Sequence, residues 1–250
     1  MERLHGLEAS GSCIVCGGVT IHAFDKDHYP VRRCLSCGYL FIGPRPSIET
    51  IVAHYATAYR GATDDFYPKA FDRRWRGFWR SMIFLPYVLG KKVLDIGCGG
   101  GFMVEAFGRF ARDAVGVDIS ENSIAYARKH WPQFRFYAED LTRFAKRSET
   151  FDFVFSSEVL EHVLDPHEFM RAVQACVRIG GFVYISAPDV GHKKVPENLK
   201  SWGDICPPEH LNWFNIRNLS WLFVQYGFIP HRVHKSTTPA HSVIFKRVAI

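Results

Sequence analysis

Short apolar runs recur along the chain after residue 90, and segments of helical length separate most of them. Seven runs have the length and composition of buried strands, near residues 92–96, 114–118, 134–138, 151–155, 182–186, 228–235 and 242–249. Apolar runs bounded by glycine and polar turns are typical of β-strands. Because strands that alternate with helices form a doubly wound parallel sheet, the pattern predicts an α/β fold.

An amphipathic segment at residues 70–85 precedes the first of these strands. Its apolar side chains recur at helical spacing. The residues on this face are Phe71, Trp75, Phe78, Trp79 and Met82. The other side carries Arg73, Arg76 and Arg80. Because the spacing separates aromatic from basic residues, we predict a core helix with solvated arginines and not a nucleic-acid-binding surface.

A second helical segment follows the turn Gly43-Pro44-Arg45-Pro46. Ser47 is a candidate N-cap, with Thr50 in the first turn. The apolar residues at helical spacing are Ile48, Ile51, Val52, Tyr55 and Tyr59. We therefore predict a helical cover between the N-terminal region and the sheet.

Four of the seven cysteines form two close pairs near the N-terminus. The pairs lie in Cys13-Ile14-Val15-Cys16-Gly17 and Cys34-Leu35-Ser36-Cys37-Gly38. A Cys-x2-Cys spacing brings two thiolates onto one metal ion, and a second pair completes a tetrahedral sulfur site. The residues between the pairs suit a short hairpin. We predict a structural zinc ribbon in preference to a redox dithiol, and a module this small takes folding free energy from its metal.

The most informative motif is Val93-Leu94-Asp95-Ile96-Gly97-Cys98-Gly99-Gly100-Gly101, which leads from the first predicted strand into a helix. Glycines in such a turn let the backbone approach a ligand closely. Val115-Gly116-Val117-Asp118 follows at the distance of one βαβ step. An acid at that position can hydrogen-bond the two hydroxyls of a ribose. Together the motifs predict a nucleoside-binding site.

This pattern resembles the first motif of class I S-adenosylmethionine-dependent methyltransferases. Dinucleotide-binding dehydrogenases lack the acid two residues before the first glycine. The resemblance covers residues 91–190. It implies a Rossmann-like sheet of seven strands, in which the last two form an antiparallel hairpin at the edge. It also implies that helices before the first strand fold over the ligands. Tyr55 or Tyr59 could line that lid, and plain packing is the alternative that we favour for both.

The same resemblance implies a role for each residue of the cofactor site. Asp95 would face the methionine ammonium, and Gly97 and Gly99 would leave room for the ligand. Asp118 would bind the ribose, and Asp140 would contact the adenine amino group. The other residues expected to contact the cofactor are Gly101, Ile119 and Ser157.

The segment Ser156-Ser157-Glu158-Val159-Leu160-Glu161-His162 follows the fourth predicted strand, at the edge of the sheet where ligands bind. A helical turn would place Glu158, Glu161 and His162 on one face. Together with His210 from a later loop, they could hold a divalent cation. The pattern resembles metal-dependent O-methyltransferases of ubiquinone biosynthesis and of small-RNA 3′-end modification, which implies a cation on substrate hydroxyls. A hydrogen-bond network beside the cofactor is the alternative.

His210, with Glu209 beside it, also suits a general base acting on a hydroxyl or an acidic carbon. This pair and the four cysteines resemble C-methyltransferases of nucleotide-linked ketosugars, although those enzymes carry a further C-terminal domain. The segment from Pro188 to Pro208 lacks periodicity, and loops of that length are usually functional. We predict that it forms a substrate lid whose lysines favour an anionic substrate.

Composition narrows the class of protein further. The 250 residues, 47% hydrophobic and 22% charged, suffice for one α/β domain with a small appendage. The sequence has neither a membrane-length apolar run nor a signal-peptide core, so we expect a cytoplasmic protein without membrane contact. The formal charge of +6 is compatible with an anionic substrate or with RNA. The three scattered cysteines are expected to be buried apolar fillers.

These observations predict a zinc ribbon at 1–46, a helical cover at 47–90 and a class I methyltransferase domain at 91–250. We expect methyl transfer from S-adenosylmethionine to oxygen or carbon of a small molecule, such as a natural product, a sugar or a quinone-like intermediate. An RNA methyltransferase and a non-catalytic S-adenosylmethionine-binding scaffold are the alternatives. The ribbon has no dense basic cluster, and Ser156-Ser157-Glu158-Val159 differs from the Asn/Asp-Pro-Pro-aromatic turn of base N6 methyltransferases. The first feature disfavours nucleic-acid binding by the ribbon, and the second disfavours methylation of a base at N6. Nothing in the sequence indicates the oligomeric state.

Overall fold

The computed structural model describes residues 9–47, 49–51, 62–63 and 65–249. The strands are β1 (Ala9–Ser12), β2 (Val19–Lys26), β3 (Tyr29–Cys34), β4 (Leu40–Ile42), β5 (Lys92–Ile96), β6 (Asp113–Asp118), β7 (Arg135–Ala138), β8 (Phe151–Ser157), β9 (Val177–Ser186), β10 (Asn212–Trp213), β11 (Phe228–Val233) and β12 (Val243–Arg247). The helices are α1 (Ala70–Ile83), α2 (Leu85–Val88), α3 (Phe102–Gly108), α4 (Glu121–His130), α5 (Leu141–Ala145), α6 (Pro166–Cys176) and α7 (Ile216–Val224).

Seven strands form the large sheet in the order β11-β12-β9-β8-β5-β6-β7. The pairings among β5 to β9 are parallel, whereas β12 is antiparallel to both β9 and β11. Successive residues face two different core layers: Val93 and Phe153 lie in one, and Leu94 and Val154 lie in the other. Strands buried on both faces, such as β5 and β8, read as continuous apolar runs, which is why they were visible in the sequence. The edge strand β11 is largely exposed. The predicted Rossmann-like fold is confirmed.

A second sheet contains the cysteine pairs and has the order β1-β2-β3-β4-β10. Its β2-β3 hairpin turns at Asp27 and His28, whose φ angles of 48° and 67° match the right-handed twist of a hairpin. The predicted hairpin is therefore present. The last strand comes from the far end of the chain, since Asn212 pairs with Phe41 and Trp213 pairs with Leu40. We call residues 9–46 of this assembly the ribbon.

The segment 188–208, predicted to be a substrate lid, packs largely against the ribbon. Trp202 and Ile205 are buried in one cluster with Val31 and Ile42 of the ribbon strands. Lys200 extends over the ring of Phe24 at 5.9 Å. Burial of these apolar side chains anchors the segment on the ribbon. Its role as a substrate lid stays a prediction.

Helix α1 forms as predicted, but its apolar face points away from the fold. Phe71 is 82% exposed and Trp75 is 58% exposed. The buried side carries the small residues Gly77 and Ser81, and a Cβ on Gly77 would lie 3.3 Å from the carbonyl oxygen of Phe102. Small side chains allow α1 to approach α3 closely, and the bulky aromatic face would not. The prediction that the aromatic face lies in the core is wrong.

The start of the predicted helical cover is partly described. Ser47 Oγ accepts the backbone N–H of Thr50 at 3.2 Å, as expected of an N-cap. The predicted helix residues Ile48, Val52, Tyr55 and Tyr59 lie outside the described residues. None of the helices in the described part of the chain is long and apolar enough to span a bilayer.

Candidate active site

The predicted cofactor residues meet at the carboxyl ends of β5, β6 and β8. Asp95 ends β5 with Ile96, Asp118 ends β6 and Ser157 ends β8. The strand order reverses here, because β5 pairs with β6 on one side and with β8 on the other. Crevices at such switch points are the usual ligand sites of open α/β sheets.

The glycine loop after β5 is held by tight local contacts. The Asp118 carboxylate accepts the N–H groups of Gly99 and Ser120, each at 2.8 Å. Gly97 has a φ of 72°, and a Cβ there would lie 2.4 Å from Val159 Cγ2. A side chain at Gly97 would therefore be strained and would clash. The contact with Val159 places the loop directly against the turn that carries the predicted chemistry.

Asp95 is buried beneath this loop, with 3% of its surface exposed. Burial raises the pKa of its carboxyl well above the usual value, and the charge of Asp118 raises it further, while Arg80 opposes both. Arg80 of α1 turns inward: Nη2 lies 3.1 Å from Ser157 Oγ and 3.2 Å from Tyr184 Oη. The prediction that Arg80 is solvated is thus wrong, because two hydroxyl acceptors and the ring of Phe155 at 5.0 Å hold the guanidinium.

Three other predicted cofactor residues lie at the edge of the same crevice. Asp140 caps α5, and its carboxylate accepts from the backbone N–H of Arg143 at 2.9 Å. Ile119 follows Asp118 directly and is 64% exposed, which leaves an apolar surface at the ligand side of the sheet. Gly101 has a φ of 79° at the start of α3.

The turn from Glu158 to His162 leaves β8 in a strained conformation. Glu158 has a φ of 57°, an uncommon value for a residue with a side chain. Its N–H donates to the carbonyl oxygen of Ser186 at 2.9 Å, and its Oε1 accepts from Ser186 Oγ at 3.2 Å. These bonds to the end of β9 hold the unusual backbone. Strain of this kind is concentrated at functional sites.

Glu161, His162 and His210 come together beyond this turn. One potential ligand atom from each lies within 4.8 Å of the other two. Glu161 Oε1 is 3.8 Å from His162 Nε2, and the rings of His162 and His210 are 4.8 Å apart in an edge-to-face arrangement. The sequence prediction that a distal histidine reaches this turn therefore agrees with the geometry.

The two histidines present the same ring nitrogen to the site. His162 Nδ1 lies 2.8 Å from the carbonyl oxygen of Glu209, and His210 Nδ1 lies 2.8 Å from that of Asp204. Because a carbonyl oxygen only accepts, each Nδ1 carries the proton in a neutral ring. Each Nε2 then presents a lone pair, the state in which imidazole binds a metal or acts as a base.

The Glu161 carboxylate is fully buried, and neither oxygen has a hydrogen-bond partner among the described residues. Burial raises the pKa of this carboxyl well above its usual value, and the nearby charge of Glu158 raises it further. Glu158 itself is exposed at the mouth of the site. Glu209 supplies its backbone carbonyl to His162, and its carboxylate is not among the groups that meet at Glu161.

The four N-terminal cysteines also converge. Their sulfurs lie within 4.8 Å of one another, with Cys13 Sγ 3.8 Å from Cys37 Sγ and Cys16 Sγ 3.4 Å from Cys34 Sγ. Each knuckle has the predicted glycine in a left-handed conformation after its second cysteine. This arrangement fits a zinc ribbon with a closed tetrahedral sulfur site.

Three residues of the site were missed by sequence reasoning. Tyr67 lies over the glycine loop, where a Cβ on Gly99 would be 2.6 Å from its hydroxyl oxygen. Arg80 reaches Ser157, and Asn212 lies behind Glu161. Their positions depend on how α1 and the ribbon pack against the large sheet. A local sequence pattern does not predict such packing. An asparagine in the buried run Leu211–Phe214 was a usable signal, since a buried amide needs partners.

The fold and the site define the class of protein: a class I S-adenosylmethionine-dependent methyltransferase with an N-terminal four-cysteine ribbon. The sequence model of the methyltransferase domain family matches residues 67–232. The chain belongs to this family. The family resemblance stated from the glycine-rich motif is confirmed.

Similar proteins with curated names include ubiquinone biosynthesis O-methyltransferases. The protein from Coxiella burnetii (strain RSA 493 / Nine Mile phase I) is 36% identical over 101 residues, which cover 39% of this chain and 43% of that protein. The protein from Idiomarina loihiensis is 33% identical over 133 residues, covering 50% of this chain and 52% of that protein. The chain thus spans about half, or less, of the length of these relatives.

Solved structures share the fold at low sequence identity. Magnesium protoporphyrin IX methyltransferase from Synechocystis PCC 6803, with bound SAH, superposes with a TM-score of 0.58 at 17% identity, over 80% of this chain and 99% of that chain. An S-adenosylmethionine-dependent methyltransferase from Mesorhizobium loti gives a TM-score of 0.56 at 20% identity, over 68% of this chain and 98% of that chain. These matches establish the methyltransferase fold.

Proposed function

We propose that the protein transfers the methyl group of S-adenosylmethionine to a hydroxyl oxygen of a small molecule, aided by a divalent cation at Glu161, His162 and His210. The observation that carries the proposal is the Glu161 carboxylate, which is buried without a hydrogen-bond partner in the described structure and lies within 4.8 Å of a ring nitrogen of each of His162 and His210. A buried carboxylate is costly unless a cation or donors compensate it. The O-methyltransferase names of the relatives support oxygen as the acceptor atom.

The crevice at β5 and β6 has the hydrogen-bond acceptors and the apolar surface that S-adenosylmethionine needs. Asp95 suits the methionine ammonium, Asp118 the ribose hydroxyls and the exposed Ile119 a face of the adenine. When bound, S-adenosylmethionine supplies an electrophilic methyl group on its sulfonium sulfur. The chain contributes alignment, since the contact of Val159 with Gly97 fixes the acceptor turn against the cofactor loop. Holding two reactants in line is itself a large part of catalysis.

The cation site combines one buried carboxylate with two imidazoles. Such donors suit a first-row divalent metal, and Glu158 at the mouth is a candidate fourth ligand. A cation held there would lower the pKa of a bound hydroxyl. Catechols and vicinal diols are the acceptors that present two oxygens to one cation, so we propose them as the substrate class.

Manganese binding tests the cation site. We expect zinc-loaded protein to bind one further Mn²⁺ in a titration followed by electron paramagnetic resonance. Glu161→Gln keeps the shape of the side chain but removes its charge. The Mn²⁺ dissociation constant should therefore rise at least about tenfold, because even residues that only hydrogen-bond a metal ligand commonly change the affinity by that factor. Transfer of labelled methyl to 3,4-dihydroxybenzoate should fall in parallel.

Glu197→Gln is the matched control, since Glu197 is an exposed acid on a loop. It should keep the wild-type Mn²⁺ affinity. Equal Mn²⁺ affinity in wild type, Glu161→Gln and Glu197→Gln would overturn the cation proposal.

General-base transfer is a second candidate, favoured by the tautomer of His210. Its Nδ1 is committed to the Asp204 carbonyl, so Nε2 can take a proton from a hydroxyl or an acidic carbon. In that case methyl transfer would survive chelation of Mn²⁺ and Glu161→Gln but not His210→Ala. A scaffold without turnover would produce no S-adenosylhomocysteine under either condition.

We also propose that the four cysteines hold one structural zinc ion. The convergence of four sulfurs from two knuckles supports this assignment. One zinc per chain in elemental analysis, unchanged in Glu161→Gln, would separate the ribbon site from the cation site.

A further inference from the structure

Asn212 joins the ribbon to the turn that carries Glu161. It is 1% exposed and lies in β10. Its Nδ2 lies 3.2 Å from the carbonyl oxygen of Leu160, 3.3 Å from that of Glu161 and 2.7 Å from that of Val163. Its backbone N–H also donates to the Glu161 carbonyl at 3.1 Å. One side chain therefore lies within hydrogen-bond distance of three carbonyl groups of the turn.

The other end of the Asn212 amide belongs to the ribbon. Its Oδ1 accepts from the hydroxyl of Tyr39 and from Arg45 Nη2, the latter at 2.6 Å. Tyr39 is fully buried and stands two residues after Cys37. Arg45 also donates through Nη1 to the carbonyl of Leu211 at 2.8 Å. The oxygen of the Asn212 amide is thus held by two side chains of the ribbon.

The carbonyl of Glu161 is the point where these bonds meet the site. It accepts from the N–H groups of Leu211 at 2.7 Å and Asn212 at 3.1 Å. His210 immediately precedes this pair in the chain. The same short segment therefore fixes the backbone of Glu161 and carries the second imidazole. A displacement of β10 would move His210 relative to Glu161.

We infer that Asn212 is a positioning residue through which Tyr39 and Arg45 make the Glu161–His210 arrangement depend on the ribbon. The inference rests on the proposed function for its link to cation binding, whereas the backbone linkage stands independently of it. Side chains that orient ligands without touching the metal commonly change its affinity. The ribbon then acts on the reaction from a distance and need not contact the substrate.

A double variant tests the linkage from the ribbon side. Tyr39→Phe/Arg45→Met removes both donors to Asn212 Oδ1 and leaves Glu161, His210 and the cysteines unchanged. We expect at least about tenfold faster hydrogen exchange of the Leu211 and Asn212 amides, because β10 loosens from the Glu161 carbonyl that accepts both bonds. We also expect at least about tenfold weaker Mn²⁺ binding, with one zinc per chain retained.

Arg33→Met is the matched control, because Arg33 is an exposed arginine of the ribbon strand β3. It should leave exchange and Mn²⁺ affinity at wild-type values. Asn212→Asp keeps the acceptor for Tyr39 but loses the Nδ2 donors, so it should reproduce the faster exchange. It serves as the second variant if the double variant loses zinc.

The exchange measurement needs no cation at Glu161. Unchanged exchange at Leu211 and Asn212 in folded, zinc-loaded variants would overturn the inference. A wild-type protein that binds no Mn²⁺ but shows the expected exchange would overturn the cation proposal and leave the linkage standing. Lower thermal stability with unchanged exchange and Mn²⁺ affinity would reduce Asn212 to an ordinary structural residue and would also reject the inference.

Discussion

At the scale of single residues, the site contains two carboxylates whose burial opposes their ionisation. Asp95 and Glu161 both lie where solvent is excluded, and both have a pKa raised by burial and by a neighbouring acid. At neutral pH a raised carboxyl pKa lowers the stability of the empty fold relative to an exposed acid. Proteins keep such groups where function requires them, at the expense of stability.

Asp95 gives the first prediction at this scale. Because the folded state holds this proton more tightly than the unfolded chain does, folding stability falls as the pH rises from about 4 through the folded pKa. Each unit of difference between the folded and unfolded pKa costs about 1.4 kcal/mol above that range. Asp95→Asn removes the cost, so its Tm at pH 7 should exceed that of wild type, while its affinity for S-adenosylmethionine falls at least about tenfold.

Asp27→Asn is the control for Asp95→Asn, since it makes the same change of charge at an exposed turn where asparagine also accepts the φ of 48°. Scanning calorimetry at pH 4.5 and pH 7 and calorimetric titration of the cofactor measure both effects. A lower Tm at pH 7 in Asp95→Asn than in wild type would show that the carboxylate is stabilised in the folded state.

The residue types of the site were visible in the sequence, but their environments were not. Spacing predicted Glu158, Glu161 and His162 on one helical face. The turn is not helical, and Glu161 and His162 converge with His210 while Glu158 is not part of that group. Spacing could not show which group of Glu209 contributes to the site, because the backbone carbonyl and the side-chain carboxylate leave the same residue in different directions. The structure uses the carbonyl.

At the scale of elements, α1 shows where periodicity succeeds and where it fails. The spacing of apolar residues gave the helix, but the direction of its apolar face depends on which neighbour it meets. Gly77 and Ser81 allow close contact with α3, so the small residues lie inside and the aromatic residues outside. A sequence pattern shows that the two faces of a helix differ, but it does not show which face is buried.

The orientation of α1 predicts an unusual order of mutational effects. Trp79→Lys changes a side chain that is 56% exposed and should alter the free energy of unfolding by no more than about 0.5 kcal/mol. Ser81→Leu overfills a fully buried position and should cost about 1–3 kcal/mol. Urea unfolding measures both. The reverse order, with Trp79→Lys the more damaging change, would show that the aromatic face is buried in solution.

At the scale of the whole molecule, the ribbon and the methyltransferase sheet share one core. Cys13, Cys34 and Cys37 lie in the same apolar cluster as Leu219 of α7 and Val154 of β8. Further bonds cross the junction, including Gln225 Nε2 to the carbonyl of Val15 at 3.0 Å. The sequence showed both parts. The strand β10, by which the later part of the chain joins the ribbon sheet, has only two residues and no periodicity to reveal it.

Zinc removal tests this shared core. We expect wild-type protein to unfold in one calorimetric transition and the chelated protein to unfold in one transition at a lower temperature. A zinc ribbon that contributes several kcal/mol would shift Tm by roughly 10 °C, since 1 kcal/mol is worth about 2–4 °C at this chain length. Cys176→Ser is the control, because it changes a buried cysteine outside the ribbon. This variant should keep one zinc ion per chain. Two separate transitions, with only the smaller one sensitive to chelation, would contradict a shared core.

The β4-β10 pairing also constrains how this protein can change over evolutionary time. A ribbon that were merely attached to the N-terminus could be lost or exchanged without altering the rest of the chain. Here Asn212 and Trp213 would be left as an unpaired edge, and Asn212 would keep a buried amide oxygen without donors. Descendants that lose the cysteines should therefore also replace Tyr39, Arg45 and Asn212. We therefore expect the ribbon and the segment that carries His210 to change together, although more than 160 residues separate them in the sequence.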